Sequence, residues 1–131
     1  MENKTKILFL ICNSESTPIG HVGLADGLNT DSFFEIDNVI RGVKNKNRGL
    51  MTLALYELIS WIFNKYQGSK VYLRVFSNNN SAIEFYKKLK FTKKQKFALE
   101  KSINNHVTSY LINETLPLGK VYFISMELSR Q

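Results

Sequence analysis

Lys44-Asn45-Lys46-Asn47-Arg48-Gly49-Leu50-Met51-Thr52-Leu53-Ala54-Leu55 runs from a polar, basic loop straight into an apolar helix pattern, with a glycine at the join. The first turn of a helix has backbone N–H groups without intrahelical partners, and the helix dipole adds partial positive charge there. A phosphate fits such a place, and Lys44, Lys46 and Arg48 add full charges. An ordinary helix start behind a solvated loop has the same composition, so the stretch alone reads as a generic anion site. Downstream, Leu50, Leu53, Ala54, Leu58, Trp61 and Ile62 recur at helical spacing, and Met51, Leu55, Ile59 and Phe63 widen the apolar face. This predicts a helix over 49–66, largely buried across a sheet, with Trp61 in the core and Gly68 as its stop.

Around that helix the chain reads as strands. The apolar run 6–12 is expected to be a strand buried on both faces, with Cys12 as a small buried hydrophobe. Residues 14–18 are a turn, and 19–24 form a second strand of a hairpin. Residues 33–43 read as a third strand in which Glu35, Asp37, Val39 and Arg41 share one side and Ile36, Asn38 and Ile40 the other. Two acids on an otherwise apolar strand are costly if buried without partners. A wet edge strand and a salt bridge to Arg41 are the plain alternatives to a functional site. Residues 70–77 form a fourth strand. A second helix follows to about Leu89, starting at Asn79, Asn80 or a Ser81-x-x-Glu84 capping box. Strand, helix, strand from residue 33 onward implies a crossover between parallel strands. Phe97 to Leu99 and Val107 to Ile112 look strand-like with a turn at Asn104-Asn105, and 121–128 alternates as a last strand.

The 131 residues fit one domain, 1–131. A net charge of +7 favours anionic partners, whether nucleotides, CoA-like ligands, nucleic acid or anionic lipid. A lone cysteine excludes an internal disulfide and a cysteine metal cluster and suggests a reducing compartment, the cytoplasm. His21 and His106 have no spaced partners, so no metal is expected. The run at 7–12 is too short for a signal peptide and no small-residue cleavage pattern follows it. No stretch is long enough to span a membrane.

Two motifs in order give the chain a family likeness. Lys46-Asn47-Arg48-Gly49-Leu50-Met51 resembles the Gln/Arg-x-x-Gly-x-Gly/Ala motif of the GNAT superfamily of N-acetyltransferases, with Lys46 and Met51 departing from it. Asn79-Asn80-Ser81-Ala82-Ile83-Glu84-Phe85-Tyr86-Lys87-Lys88-Leu89-Lys90-Phe91 resembles that family's Asn-x-x-Ala-x-x-x-Tyr-x-x-x-Gly-Phe, with Lys90 in place of the glycine. A finer resemblance, to members of sugar-nucleotide and surface-polysaccharide pathways, rests on Glu35-Ile36-Asp37-Asn38-Val39-Ile40-Arg41-Gly42, on Gly49-Leu50-Met51 and on Leu73-Arg74-Val75-Phe76.

The resemblance implies an α/β (α+β) fold with a mixed central sheet in β-β-β-α-β-α-β order. It lacks the strand and two helices with which the family begins. That leaves a fragment, a natural short form, or a domain completed by another chain such as the partner of a homodimer. The resemblance further implies acetyl-CoA as co-substrate, its pyrophosphate held by Lys46, Asn47, Arg48, Gly49, Leu50 and Met51. Its pantetheine arm would lie along Val39, Ile40 and Arg41, and Asn79 and Tyr86 would complete the cofactor site. Tyr86 matches the family's general acid, and Glu35, with Asp37 as the alternative, its base. The acceptor implied is a primary amine on a small molecule, with an amino-sugar nucleotide suggested by the finer likeness. A protein or peptide acetyltransferase and a non-catalytic CoA- or nucleic-acid-binding module are the alternatives. Nucleic acid is disfavoured because the aromatics near Lys87, Lys88, Lys93, Lys94 and Lys96 look buried.

Overall fold

In the computed structural model, which describes residues 6–26, 33–42, 49–66 and 70–129, the apolar runs become strands and the periodic segments helices. The order is β1 (Lys6–Cys12), β2 (Pro18–Asp26), β3 (Phe33–Arg41), α1 (Leu50–Lys65), β4 (Lys70–Phe76), α2 (Asn80–Lys88), β5 (Thr92–Phe97), β6 (Leu99–Asn104), β7 (Val107–Ile112) and β8 (Phe123–Ser129). This is the mixed α and β class expected. The expected helix stop at Gly68 and the loop at 44–48 lie outside the described residues. No helix among the described residues is long and apolar enough to cross a membrane.

The described residues group into two compact units, one running to Leu73 and taking in Leu128 and Ser129, the other running from Arg74 to Glu127. In the first, the strands lie in the order β1-β2-β3-β4. β1 and β2 form an antiparallel hairpin and β2 pairs antiparallel with β3. β3 pairs with β4 in parallel, as the crossover through α1 requires. Residues directly opposite across a ladder share a face. Phe9 opposite Val22, and Leu24 opposite Ile36, therefore lie on one face. Helix α1 covers that face: Trp61 meets Phe9 edge-on at 6.3 Å, and Tyr66 meets Phe34 at 4.8 Å.

The helix buries Met51, Leu55, Leu58, Ile59 and Ile62. That stripe is rotated from the expected one. Leu53 and Trp61 are exposed, Trp61 by 40%, so the expectation of a core Trp61 and a largely buried helix is corrected. Lys65 lies over the Trp61 ring, 5.1 Å from its centroid. Strand β1 is corrected as well. As the edge strand it has a partner on one side, and Leu8 and Leu10 are 63% and 64% exposed. Cys12 at its end is exposed, not buried.

In the second unit β4, β8 and β5 lie in that order, with β5 antiparallel to β8. β6 and β7 form a separate hairpin. Its turn is Asn105-His106, both at positive φ of 50° and 66°, one residue later than expected. Two left-handed residues between antiparallel strands match the strand twist. Phe76 packs against Tyr110 at 5.4 Å and Phe123 at 4.8 Å.

Helix α2 begins at Asn79, whose side chain accepts from the Ala82 N–H at 3.3 Å, so Asn79 is the cap and the Ser81/Glu84 box is not used. The helix ends in a pair of reversed bonds: the Phe91 N–H donates to the Tyr86 carbonyl at 3.1 Å and the Lys90 N–H to the Lys87 carbonyl at 2.9 Å. This is a Schellman termination, and it needs a left-handed residue at the position of Lys90. Lys90 supplies it at φ 76°. A side chain there costs energy that glycine avoids. Lys90→Gly should therefore stabilise the chain by about 1 kcal/mol, read as a higher urea midpoint at unchanged slope. A lower midpoint contradicts the strain.

Candidate functional site

In the first unit the acids of β3 take the face away from α1. Glu35 lies opposite Ala25 and Asp37 opposite Gly23, while Lys6, Leu8 and Leu10 of β1 line up with Ala25, Gly23 and His21 on that same face. Glu35 is 6% exposed, and the Tyr72 hydroxyl donates to its Oε2 at 2.7 Å. Asp37 is held by the Lys6 ammonium, 2.7 Å from Oδ2. Gly23 makes room for it, since a Cβ there would collide with Asp37 Oδ1.

Just past these acids the ladder slips. His21 pairs with Ile40 and Gly23 with Asp37, so three residues of β2 face four of β3. One extra residue at Asn38-Val39 is a β-bulge, a device that bends a strand and re-aims the side chains beyond it. It overturns the expected alternation. Ile40, opposite His21, joins the face of Glu35 and Asp37, and Arg41 pairs with Gly20. The side chains of Asn38 and Arg41 lie outside the described part, so the alternative of an Arg41 salt bridge does too. The β2–β3 ladder extends to Arg41, whereas the described β3–β4 ladder comprises only Phe33↔Lys70, Phe34↔Val71 and Glu35↔Tyr72.

The join that opens helix α1 has the geometry its glycine suggested. Gly49 sits at φ 79° and ψ −5°, a left-handed conformation suited to glycine, with nothing among the described residues near where a Cβ would stand. The first helical bond runs from the Leu53 N–H to the Gly49 carbonyl at 3.0 Å. The first-turn amides of Leu50, Met51 and Thr52 precede it, and among the described residues no side chain caps them and no acid lies in the first turn. These amides suit an anion such as a pyrophosphate. Helix α2, by contrast, is capped by its own Asn79. Lys46, Asn47 and Arg48 lie outside the described residues.

In the second unit Asn79 and Tyr86 share α2. Tyr86 is 7% exposed, wedged edge-on between Phe85 at 5.3 Å and Phe91 at 5.8 Å. Among the described residues nothing hydrogen-bonds its hydroxyl. Burial pushes its pKa up to about 12. A buried hydroxyl without a partner calls for an explanation. Among the described residues no group of three or more His, Cys, Asp or Glu could hold a metal.

The sequence singled out Glu35, Asp37, Gly49, Asn79 and Tyr86, but not the residues that hold the two acids. Tyr72 read only as part of the fourth strand and Lys6 as the start of the first. Gly23 did carry a signal, because a glycine inside a strand often marks a bulge or a close approach.

Comparison with curated protein sequences finds no match. Solved structures share the fold. One is a spermidine/spermine N-acetyltransferase from Vibrio cholerae with manganese ions, at 16% identity and TM-score 0.69 over 95% of this chain and 65% of that one. Another is a Vibrio cholerae spermidine N-acetyltransferase in complex with CoA and spermine, at 17% identity and TM-score 0.69 over the same shares. A third is a dodecameric spermidine N-acetyltransferase from that organism, at 16% identity and TM-score 0.69 over 95% and 64%. The chain thus spans less than two thirds of the length of these three structures. A family model described as an acetyltransferase (GNAT) domain matches residues 1–92. With the bulged strand, the glycine-opened helix and the Asn79-to-Phe91 helix in that order, the chain belongs to the GNAT acetyltransferase domain family.

Proposed function

We propose that the chain is a single acetyl-CoA-binding domain over 1–131 that transfers the acetyl group to a primary amine of a small molecule. The observation that carries this reading is the β3 bulge placed directly after two acids, one of them buried and hydrogen-bonded. Bulges of this kind recur beside active sites. Bound acetyl-CoA supplies an activated acyl thioester. The first-turn amides of α1, with Gly49 and the basic residues Lys46 to Arg48 ahead of them, suit its pyrophosphate. The backbone of Val39 to Arg41 suits the pantetheine amides, which pair as an added strand would. A carboxylate, Glu35 or Asp37, takes a proton from the acceptor ammonium directly or through water. The amine nitrogen then bonds to the acyl carbon as the carbon–sulfur bond breaks, and the departing sulfur needs a donor.

Tyr86 suits that last role in a particular way. Simple thiols titrate near ~8.5, and burial holds this phenol up at about 12. It therefore keeps its proton in the unliganded chain and serves the sulfur first as a hydrogen-bond donor.

For the acceptor we favour an amine on an anionic carrier, such as an amino-sugar nucleotide. A chain of net charge +7 attracts such a molecule and repels a polycation at a distance. The fold relatives are named for spermidine and spermine, so a polyamine is the competing acceptor. Exposed Leu8, Leu10 and Ile40 on the face of the acids suit a second copy that completes the acceptor wall. An exposed single cysteine fits the cytoplasm.

Acetyl-CoA should raise the melting temperature, since a ligand of the folded state stabilises it; no shift at saturation rejects the reading. Release of free thiol should be fastest with amino-sugar nucleotides. Faster release with spermidine overturns the acceptor while leaving the chemistry. Tyr86 makes a separate prediction. Its folded pKa lies above the unfolded 10.0, so the stability it lends is complete below pH 10 and is lost as pH rises through about 12. The difference in unfolding free energy between wild type and Tyr86→Phe should be flat up to pH 10, then fall by on the order of 2 kcal/mol. A flat difference throughout contradicts the buried phenol.

A further inference from the structure

We propose that two copies of this chain pair edge to edge through β1, antiparallel and in register about Phe9, so that their sheets become one. The pairing stands on the strand itself, while the acceptor wall it would complete rests on the acetyltransferase reading. β1 is an edge strand, and among the described residues no strand pairs with its outer side. Its middle residues, Ile7-Leu8-Phe9-Leu10-Ile11, read the same in both directions. A two-fold axis at the centre of an antiparallel pair sets each residue opposite its mirror position. Phe9 then meets Phe9 of the second copy, Leu8 meets Leu10, and Ile7 meets Ile11. Each is an apolar cross-strand pair of the kind that stabilises a ladder. Lys6 falls opposite Cys12, so no like charges meet, and each Lys6 is already tied to Asp37 of its own chain.

The strand also lacks the devices that keep sheet edges apart, which are charges, proline and bulges. β5, the edge strand of the second unit, has them: Lys93, Lys94 and Lys96 lie along it, and its register slips between Lys93 and Lys96. Between Lys6 and Cys12, β1 carries no charge and no proline. The slip near its end puts the extra residue, Ile19, on β2 and leaves β1 regular. What β1 exposes is apolar, with Leu8 and Leu10 on the face of the acids and Ile7 on the other. On that other face a groove of about 340 Å³ lies between β1 and α1, lined by Phe9, Ile11, Ala54, Leu58 and Trp61, with Glu57 as its one charge. The axis stands perpendicular to the joined sheet, so both α1 helices lie on one face and both pairs of acids on the other. Leu8 and Leu10 of the second copy then extend the face on which Glu35 and Asp37 lie.

Sedimentation equilibrium should show the mass rise with concentration from 15.1 kDa towards twice that value. Leu10→Lys, at a position 64% exposed in the single chain, should keep the circular dichroism of the folded chain. It should weaken the dimer roughly a hundredfold, since each copy then sets an ammonium against Leu8 of the other. Lys6→Cys should cross-link two chains under mild oxidation, because the new thiol falls opposite Cys12 of the second copy. Within one chain the two positions are the ends of a 7-residue strand, about 20 Å apart and far outside disulfide reach. Lys96→Cys on β5 should cross-link much more slowly. A monomer at every concentration overturns the pairing, including one whose β1 amides resist hydrogen exchange because its own chain covers the edge. A dimer that ignores Leu10→Lys and leaves Lys6→Cys uncrosslinked uses another surface and overturns it too. Melting with acetyl-CoA on the same samples keeps the two readings apart. A monomer that acetyl-CoA stabilises sinks the pairing alone. A cross-linkable dimer that acetyl-CoA leaves unchanged bears the pairing out and sinks the acetyltransferase reading.

Discussion

One extra residue in β3 organises the first unit. Between the pairs Gly23↔Asp37 and His21↔Ile40, β3 spends one residue more than β2. Without it, strict alternation would carry the face of Glu35 and Asp37 on through Val39 and Arg41. With it, the acids are followed on their own face by Ile40. A sheet has only two faces and a one-residue slip exchanges them. The bulge therefore decides which side chains sit beside the carboxylates. The described β3–β4 ladder ends at Glu35, ahead of the bulge, while the β2–β3 ladder continues past it to Arg41.

The polar groups on that face are each held by a different device. Glu35 is buried and takes a hydroxyl donor from the neighbouring strand. Asp37 takes an ammonium from β1 and the empty space of a glycine on β2. Both devices cross strands, so they exist only once the sheet has formed in this register. The Tyr86 environment in the second unit is local by comparison. Its carbonyl accepts the Phe91 N–H and its ring meets the Phe91 ring, within one helix end. The missing family glycine changes the cost of that end and not its geometry, because Lys90 adopts the left-handed conformation itself.

Local and cross-strand features also differ in how legible they are in the sequence. α1, α2, the crossover and the final strand were legible because each rests on periodicity or a local cap. The Gly49 join was legible because only a glycine takes φ 79° without strain. The exposure of β1 was not, since an apolar run looks alike whether it has neighbours on two sides or one. Trp61 failed for a related reason. α1 is apolar around so much of its surface that periodicity leaves open which stripe faces the sheet, and Met51, Leu55 and Ile62 won. The Tyr72 hydroxyl bond leaves no mark in a single sequence, because it joins strands 37 residues apart, and Gly23 marks a bulge or close approach without saying which residue comes near.

The most direct test of the account is the pattern of backbone amide shifts in a nitrogen-15 NMR titration with CoA. The account predicts that the largest shifts fall on the first turn of α1, Leu50 to Thr52, and on Val39 and Ile40 at the bulge. Shifts confined to the lysine-rich span 87–96, or no saturable shifts at all, would contradict it.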